Sequence, residues 1–217
     1  MHYKIARGIT IKTENAAKPE SQGSSFLKKL LDDLPPVQSS FDYGCGKLRY
    51  MKKILSRTDE LTVVDSEIQL ARTQMICGKL TSVREMANRS NRMQALNIEQ
   101  FSSARDKYDR GFCINVLSVI PIISERVRLL QIIHARLKKG ACCLFVVQYR
   151  NSDFTRMRAL PNARDWRDGF LMNSLRGYSF YALIPPAKLE SMVKKAGFSI
   201  EHIRLNEGSV YLWAKAI

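Results

Sequence analysis

Short apolar runs alternate with longer stretches whose apolar residues recur every three or four positions. The runs are Val37–Tyr43, Glu60–Asp65, Met93–Ile98, Phe112–Ile120 and Ala141–Val147, and each predicts a strand. Between them the helical period returns. Phe26, Leu27, Leu30, Leu31 and Leu34 share one face of a helix over Phe26–Leu34, capped by Ser24-Ser25 and ended by Pro35-Pro36. A second helix follows the glycines at 44 and 46, from Leu48 to Ser56, and Glu67–Arg92 reads as one or two more. An amphipathic helix over Glu125–Leu137 stops at Lys138-Lys139-Gly140, and another over Ala187–Ala196 closes at Gly197. Apolar runs of this kind suit strands covered on both faces, so the alternation predicts a mostly parallel α/β sheet with crossover helices. The tail differs. Phe198–Leu205, the turn Asn206-Glu207-Gly208 and Val210–Ala214 form a β-hairpin pattern.

The first strand runs into Phe41-Asp42-Tyr43-Gly44-Cys45-Gly46-Lys47-Leu48-Arg49. Glycine at 44 and 46 lets the backbone bend sharply and approach a ligand, and the following helix start offers free N–H groups. Asp65 lies 23 residues past Asp42, at the tip of the second strand, where a carboxylate accepts hydrogen bonds from ribose hydroxyls. Together these residues form a nucleoside-binding βαβ unit. A dinucleotide site would carry glycine at position 49, where Arg49 stands, and Asp42 would repel a pyrophosphate. A ligand bearing ammonium and sulfonium charges suits Asp42 better.

On these residues the chain resembles the class I S-adenosylmethionine-dependent methyltransferases, whose first motif has the form D-x-G-x-G-x-G. Asp42, Gly44 and Gly46 match it; Leu48 replaces the last glycine. The resemblance implies a doubly wound, seven-stranded sheet with an antiparallel last strand, and S-adenosyl-L-methionine as cofactor. It implies cofactor contacts at Asp42, Tyr43, Gly44, Cys45, Gly46, Asp65, Ser66 and Asn115, with Asn97 and Ile98 at the adenine. Asn115, Tyr149 and Arg150 are the expected residues near the acceptor. The wording around Ser24-Ser25-Phe26-Leu27, the glycine turn and Asn115-Val116-Leu117 is also similar to a group of bacterial methyltransferase-like proteins, some found with DNA phosphorothioation genes. The (D/N/S)-P-P-(Y/F/W) signature of base-amine methyltransferases is replaced by Asn115-Val116-Leu117-Ser118, which disfavours that mechanism.

At 217 residues the chain fits an N-terminal arm and helix over 1–36 and one Rossmann-like domain over 37–217. Within the arm, a short strand is expected around Ile5–Ile11. No run of apolar residues reaches the length of a membrane span, and no signal peptide opens the chain, so a cytoplasmic protein without a membrane partner is expected. The five cysteines lack C-x-x-C or Cys/His ligand spacing, so reduced thiols and no metal site are expected. Lys and Arg number 35 against 20 Asp and Glu, a formal +15, which points to DNA or RNA as a partner. Residues 148–183 interleave Tyr149, Phe154, Trp166, Phe170 and Tyr181 with arginines, and follow a strand end at the ligand-binding edge. They read as a substrate cap, with Arg150, Trp166 and Phe170 as acceptor contacts. A nucleic acid or nucleotide is the favoured acceptor; a small metabolite, or a cofactor-binding subunit without catalysis, are the alternatives.

Overall fold

The computed structural model describes residues 1–5 and 8–217. The arm contributes β1 (His2–Lys4) and β2 (Thr10–Lys12); Ala6 and Arg7, inside the strand expected there, lie outside the described residues. Next come α1 (Ser25–Asp32), β3 (Val37–Tyr43), α2 (Met51–Leu55), β4 (Thr58–Asp65) and α3 (Glu67–Ala71). A small hairpin, β5 (Gln74–Ile76) and β6 (Lys79–Thr81), precedes α4 (Val83–Asn88), β7 (Met93–Asn97), α5 (Ile98–Ser103) and β8 (Tyr108–Ile114). The chain continues through α6 (Ile123–Ala135), β9 (Leu137–Gln148), α7 (Ser152–Arg158), β10 (Ala163–Trp166), β11 (Gly169–Ser174) and β12 (Gly177–Ala182). It ends in α8 (Pro186–Lys195), β13 (Phe198–Asn206) and β14 (Ser209–Ala216).

Seven strands form the main sheet in the order β13-β14-β9-β8-β3-β4-β7. The pairs from β9 to β7 are parallel, and β14 lies antiparallel between β13 and β9. Side-chain alternation sorts the apolar residues into two cores. Phe41, Val64, Cys113, Phe145 and Leu212 pack toward α5, α6 and α8, while Val63, Phe112, Leu144 and Trp213 pack toward α1, α2 and α3. The chain leaves β3 in one direction along the sheet for β4 and β7, then returns to its other side at β8. The crevice where strand order reverses therefore opens at the carboxyl ends of β3 and β8, the position at which open α/β sheets bind ligands.

Three expectations need correcting. Glu67–Arg92 is broken by the β5–β6 hairpin, whose turn, Cys77-Gly78, has φ of 48° and 79°, a backbone no helix accepts. The fourth strand ends at Ile114, because Asn115 takes φ 61° and sends Leu117–Val119 into a single helical turn. The fifth strand begins at Leu137, with Lys138-Lys139-Gly140 inside it: Tyr108 pairs with Leu137 and Arg110 with Cys142, so the intervening residues bulge out at Gly140, whose φ is 78°.

The arm and the 148–183 insertion build one further sheet, in the order β1-β2-β12-β11-β10. β2 joins β12 in parallel through Ile11 and Tyr178. Ile11, Leu171 and Phe180 are fully buried in the same core as α6 and α8. Asp168, in the turn between β10 and β11, accepts hydrogen bonds from Arg126 Nη1 on α6 at 2.5 Å and from Lys188 Nζ on α8 at 2.7 Å. Arg126 is wholly buried, so this ion pair ties cap to core through a charge that water does not reach.

Candidate active site

Past Tyr43 the backbone turns through three left-handed residues, Gly44, Gly46 and Leu48, at φ 76°, 55° and 57°. Gly44 N and Cys45 N both donate to Val64 O, at 2.7 and 3.1 Å, which pins the turn onto β4. A side chain at Gly44 is impossible without movement, since its Cβ would lie 2.3 Å from Val116 Cγ2. Leu48 holds the backbone of the missing glycine. The strain, of order 1–2 kcal/mol, is offset by a side chain packed fully into the core between α1 and α2.

Asp65 is in register with Asn97 of β7 and points back to the turn. Its Oδ2 accepts from Gly46 N at 2.9 Å and its Oδ1 from Ser66 N at 2.8 Å, leaving lone pairs on both oxygens. Burial raises its pKa against the pull of those two N–H groups. Asp42, almost wholly buried beneath the turn, has its carboxyl pushed up to about 7, chiefly by burial, with the Asp65 charge adding and Arg49 subtracting.

Gln69 locks the turn from the other side: its Nε2 donates to Gly46 O at 2.6 Å, while its Oε1 is buried without a hydrogen-bond partner among the described residues. Glu14 arrives from the arm, binds His2 Nε2 at 2.6 Å through Oε1, and holds Oε2 3.7 Å from the Met1 ammonium, an ion pair without a hydrogen bond. Both line the cleft. The sequence reading missed them. For Gln69 the available signal was its place three residues past Ser66, the cap of α3, which turns its side chain back over the strand tip; nothing in the arm's sequence marked Glu14.

Asp42, Gly44, Cys45, Gly46, Asp65 and Asn115 line one cleft, and Tyr43, Ser66, Asn97 and Ile98 line an adjoining hollow of about 480 Å3 with Tyr3. The two meet at the consecutive residues Asp65 and Ser66. Asn97 caps α5, accepting from Gln100 N through Oδ1, and its Nδ2 donates to Glu67 Oε2 at 3.2 Å.

A third cavity, of about 560 Å3, opens beside the cleft and shares Asn115, Val119, Tyr50 and Arg49 with it. Its walls include Phe154, Tyr181, Tyr211, Ser118, Gln148 and Asn151. Tyr149 and Arg150, expected near the acceptor, do not line it. They border a separate outer hollow, with the Arg150 guanidinium 5.6 Å from the centre of the Tyr149 ring. The reason is strand parity: Val146 and Gln148 of β9 face the cavity, and the next residue, Tyr149, points to the other face. Phe170 is buried behind the cavity wall against Phe154 and Tyr181, and Trp166 packs edge-on to Phe180 under Arg167, so neither lines the space.

The residues fit an adenosyl sulfonium compound: a turn that excludes side chains, a carboxylate with free lone pairs at the tip of β4, and buried oxygens of Gln69 and Glu14 without a hydrogen bond among the described residues. Comparison with known proteins agrees. The profile of a family described as "Methyltransferase domain" matches residues 17–203. The uncharacterized protein YmfD of Escherichia coli (strain K12) is 30% identical over 213 residues, covering 98% of this chain and 95% of that protein. Among solved structures, an S-adenosylmethionine-dependent methyltransferase from Clostridium acetobutylicum matches 88% of each chain with a TM-score of 0.61 at 11% identity. CalS10, an amino pentose methyltransferase from Micromonospora echinaspora with bound S-adenosylmethionine, covers 90% of this chain and 93% of its own, with a TM-score of 0.60 at 9% identity. The glycine turn, the strand order and the family match converge: the chain belongs to the methyltransferase-domain family and has the fold of the class I S-adenosylmethionine-dependent enzymes.

Proposed function

We propose that the protein transfers a methyl group from S-adenosylmethionine to a small-molecule acceptor held in the aromatic cavity beside Asn115. The observation that carries this reading is the cavity, about 560 Å3 in volume, walled by Tyr50, Phe154, Tyr181 and Tyr211 and joined to the cofactor cleft through Asn115 and Val119. S-adenosylmethionine, when bound, supplies a methyl carbon activated by its sulfonium. In this reading Gly44 and Gly46 admit the methionine end, Asp42 and Glu14 face its positive charges, and Asp65 accepts from the ribose hydroxyls. Tyr43, Ser66, Asn97 and Ile98 take the adenine. The chain's work is then to align an acceptor at near-attack distance and exclude water. Ala16 and Lys18 of the arm line both spaces, so one segment roofs cofactor and acceptor together.

The formal +15 supports DNA or RNA as a second reading. Against it, four of the insertion's six arginines are engaged at home: Arg156 with Asp153, Arg158 with Asp165, Arg164 on Tyr178 and Arg167 on Trp166. An electrophoretic shift with DNA and RNA at two salt concentrations, run beside a methylation assay, separates the two. The small-molecule reading expects no salt-sensitive shift; tight, salt-sensitive binding with label entering the nucleic acid would overturn it.

A further inference from the structure

We infer that the reacting atom of the acceptor is a carboxylate oxygen, oriented by the Asn115 amide and the Ser118 hydroxyl; this rests on the small-molecule reading above. Asn115 holds a left-handed backbone, its N donating to Val146 O at 2.8 Å. Its Oδ1 accepts from Gln148 Nε2 at 3.0 Å. Gln148 spends its other N–H on Ser209 Oγ at 2.9 Å and accepts from Asn151 Nδ2 at 2.9 Å through Oε1. This chain of donors and acceptors fixes which way the Asn115 amide faces. Oδ1 is committed, and Nδ2 is the group offered where cofactor cleft and acceptor cavity meet. Ser118 is 1% exposed, lines the same cavity, and its buried Oγ has no hydrogen-bond partner among the described residues. Two polar groups that line one cavity and lack hydrogen-bond partners among the described residues ask for an oxygen from the ligand.

Proton accounting selects the kind of oxygen. An alcohol, a phenol or an ammonium must lose a proton before or as it attacks, and among the described residues the cavity lining holds no imidazole to take one. Its two acids sit at the rim: Asp153 and Glu207 both also border the outer hollow, and Asp153 is held by Arg156 at 2.6 Å. Burial pushes the Tyr181 and Tyr211 hydroxyls up, so they remain neutral. A carboxylate is already ionised at neutral pH, and Lys18 and Arg49 on the cavity wall complement its charge. An oxygen lone pair forms the O–CH3 bond while the carbon–sulfur bond breaks, its electron pair remaining on sulfur. The products are a methyl ester and a neutral thioether, and no proton moves.

The full chain is incubated with methyl-tritiated S-adenosylmethionine and a heat-treated Escherichia coli lysate, the products are then separated by ultrafiltration into small-molecule and nucleic-acid fractions, and labelled small molecules are treated with mild alkali. A methyl ester releases its label as volatile methanol, which is the expected result. Alkali-stable label in a small molecule overturns the carboxylate while leaving the small-molecule reading intact. Label in nucleic acid alone, or in no product, overturns both. Asn115→Gly keeps the left-handed backbone and removes the amide; Ser118→Ala removes the hydroxyl. Each should lower turnover by about 10- to 100-fold, the effect of losing a hydrogen bond to a charged group; for Ser118→Ala, whose side chain lines the acceptor cavity and not the cofactor cleft, S-adenosylmethionine affinity by calorimetry should be unchanged. Wild-type turnover in both variants overturns the assignment.

Discussion

At the scale of single residues the account turns on Asp42, a carboxyl the fold keeps from water. The unfolded chain releases its proton near about 4, whereas the folded protein holds it to about 7. The folded state thus binds more protons across that window, and the stability of the ligand-free protein attributable to this group falls as pH rises from about 4 through about 7. Asp42→Asn removes that loss. Thermal melts of the ligand-free variant should show a gain over the wild type of several degrees at pH 8 and little at pH 5, while its affinity for S-adenosylmethionine falls because a neutral amide no longer faces the cationic ligand. An equal shift at both pH values would contradict the burial argument. That Asp42, Gly44, Gly46 and Asp65 meet at one turn was legible in the sequence because backbone geometry and charge constrain residue type there. The arrival of Glu14 and Gln69 in the same cleft was not, since it comes from where the arm and α3 are packed rather than from local pattern.

At the scale of elements, the glycine turn keeps its shape with a leucine in its third left-handed place. At such a φ alanine carries the strain that glycine escapes, and both lose the buried side chain. Leu48→Gly and Leu48→Ala should therefore both destabilise, by about 2–5 kcal/mol, with the glycine variant the more stable of the two by about 1 kcal/mol. Chemical denaturation measures both; the reverse order would show that the turn relaxes out of the left-handed region. The same scale explains why Tyr149 and Arg150 stand away from the cavity. A strand's residues alternate between faces, so Gln148 turns to the cavity and Tyr149 away from it, whereas the apolar periodicity of α1 and α8 tolerates a slip of one position. The β5–β6 hairpin escaped because its exposed Met75 and Leu80 read as the apolar face of a helix.

Across the whole molecule the parallel α/β character of the main sheet and its terminal hairpin followed from local signals, alternating runs and a turn, while its seven strands and antiparallel last strand followed from the resemblance carried by the glycine turn. The cap sheet did not: it pairs Ile11 with Tyr178, two strands far apart in the chain, and no periodicity encodes such a partner. Its anchorage is testable. Asp168→Ala leaves Arg126 buried without its carboxylate, which should cost about 3–5 kcal/mol and raise hydrogen exchange in β10–β12 before it rises in β3 or β8. Uniform exchange would mean that cap and core open as one.

The claim beneath all of this is that the turn at Gly44 and Gly46, together with Asp65, grips S-adenosylmethionine. Titration calorimetry of the wild type and Asp65→Ala against that compound tests it directly. The account predicts one site per chain in the wild type and an affinity at least about 10-fold lower in the variant, from the loss of charge-assisted ribose hydrogen bonds; equal affinity in the two proteins would contradict it.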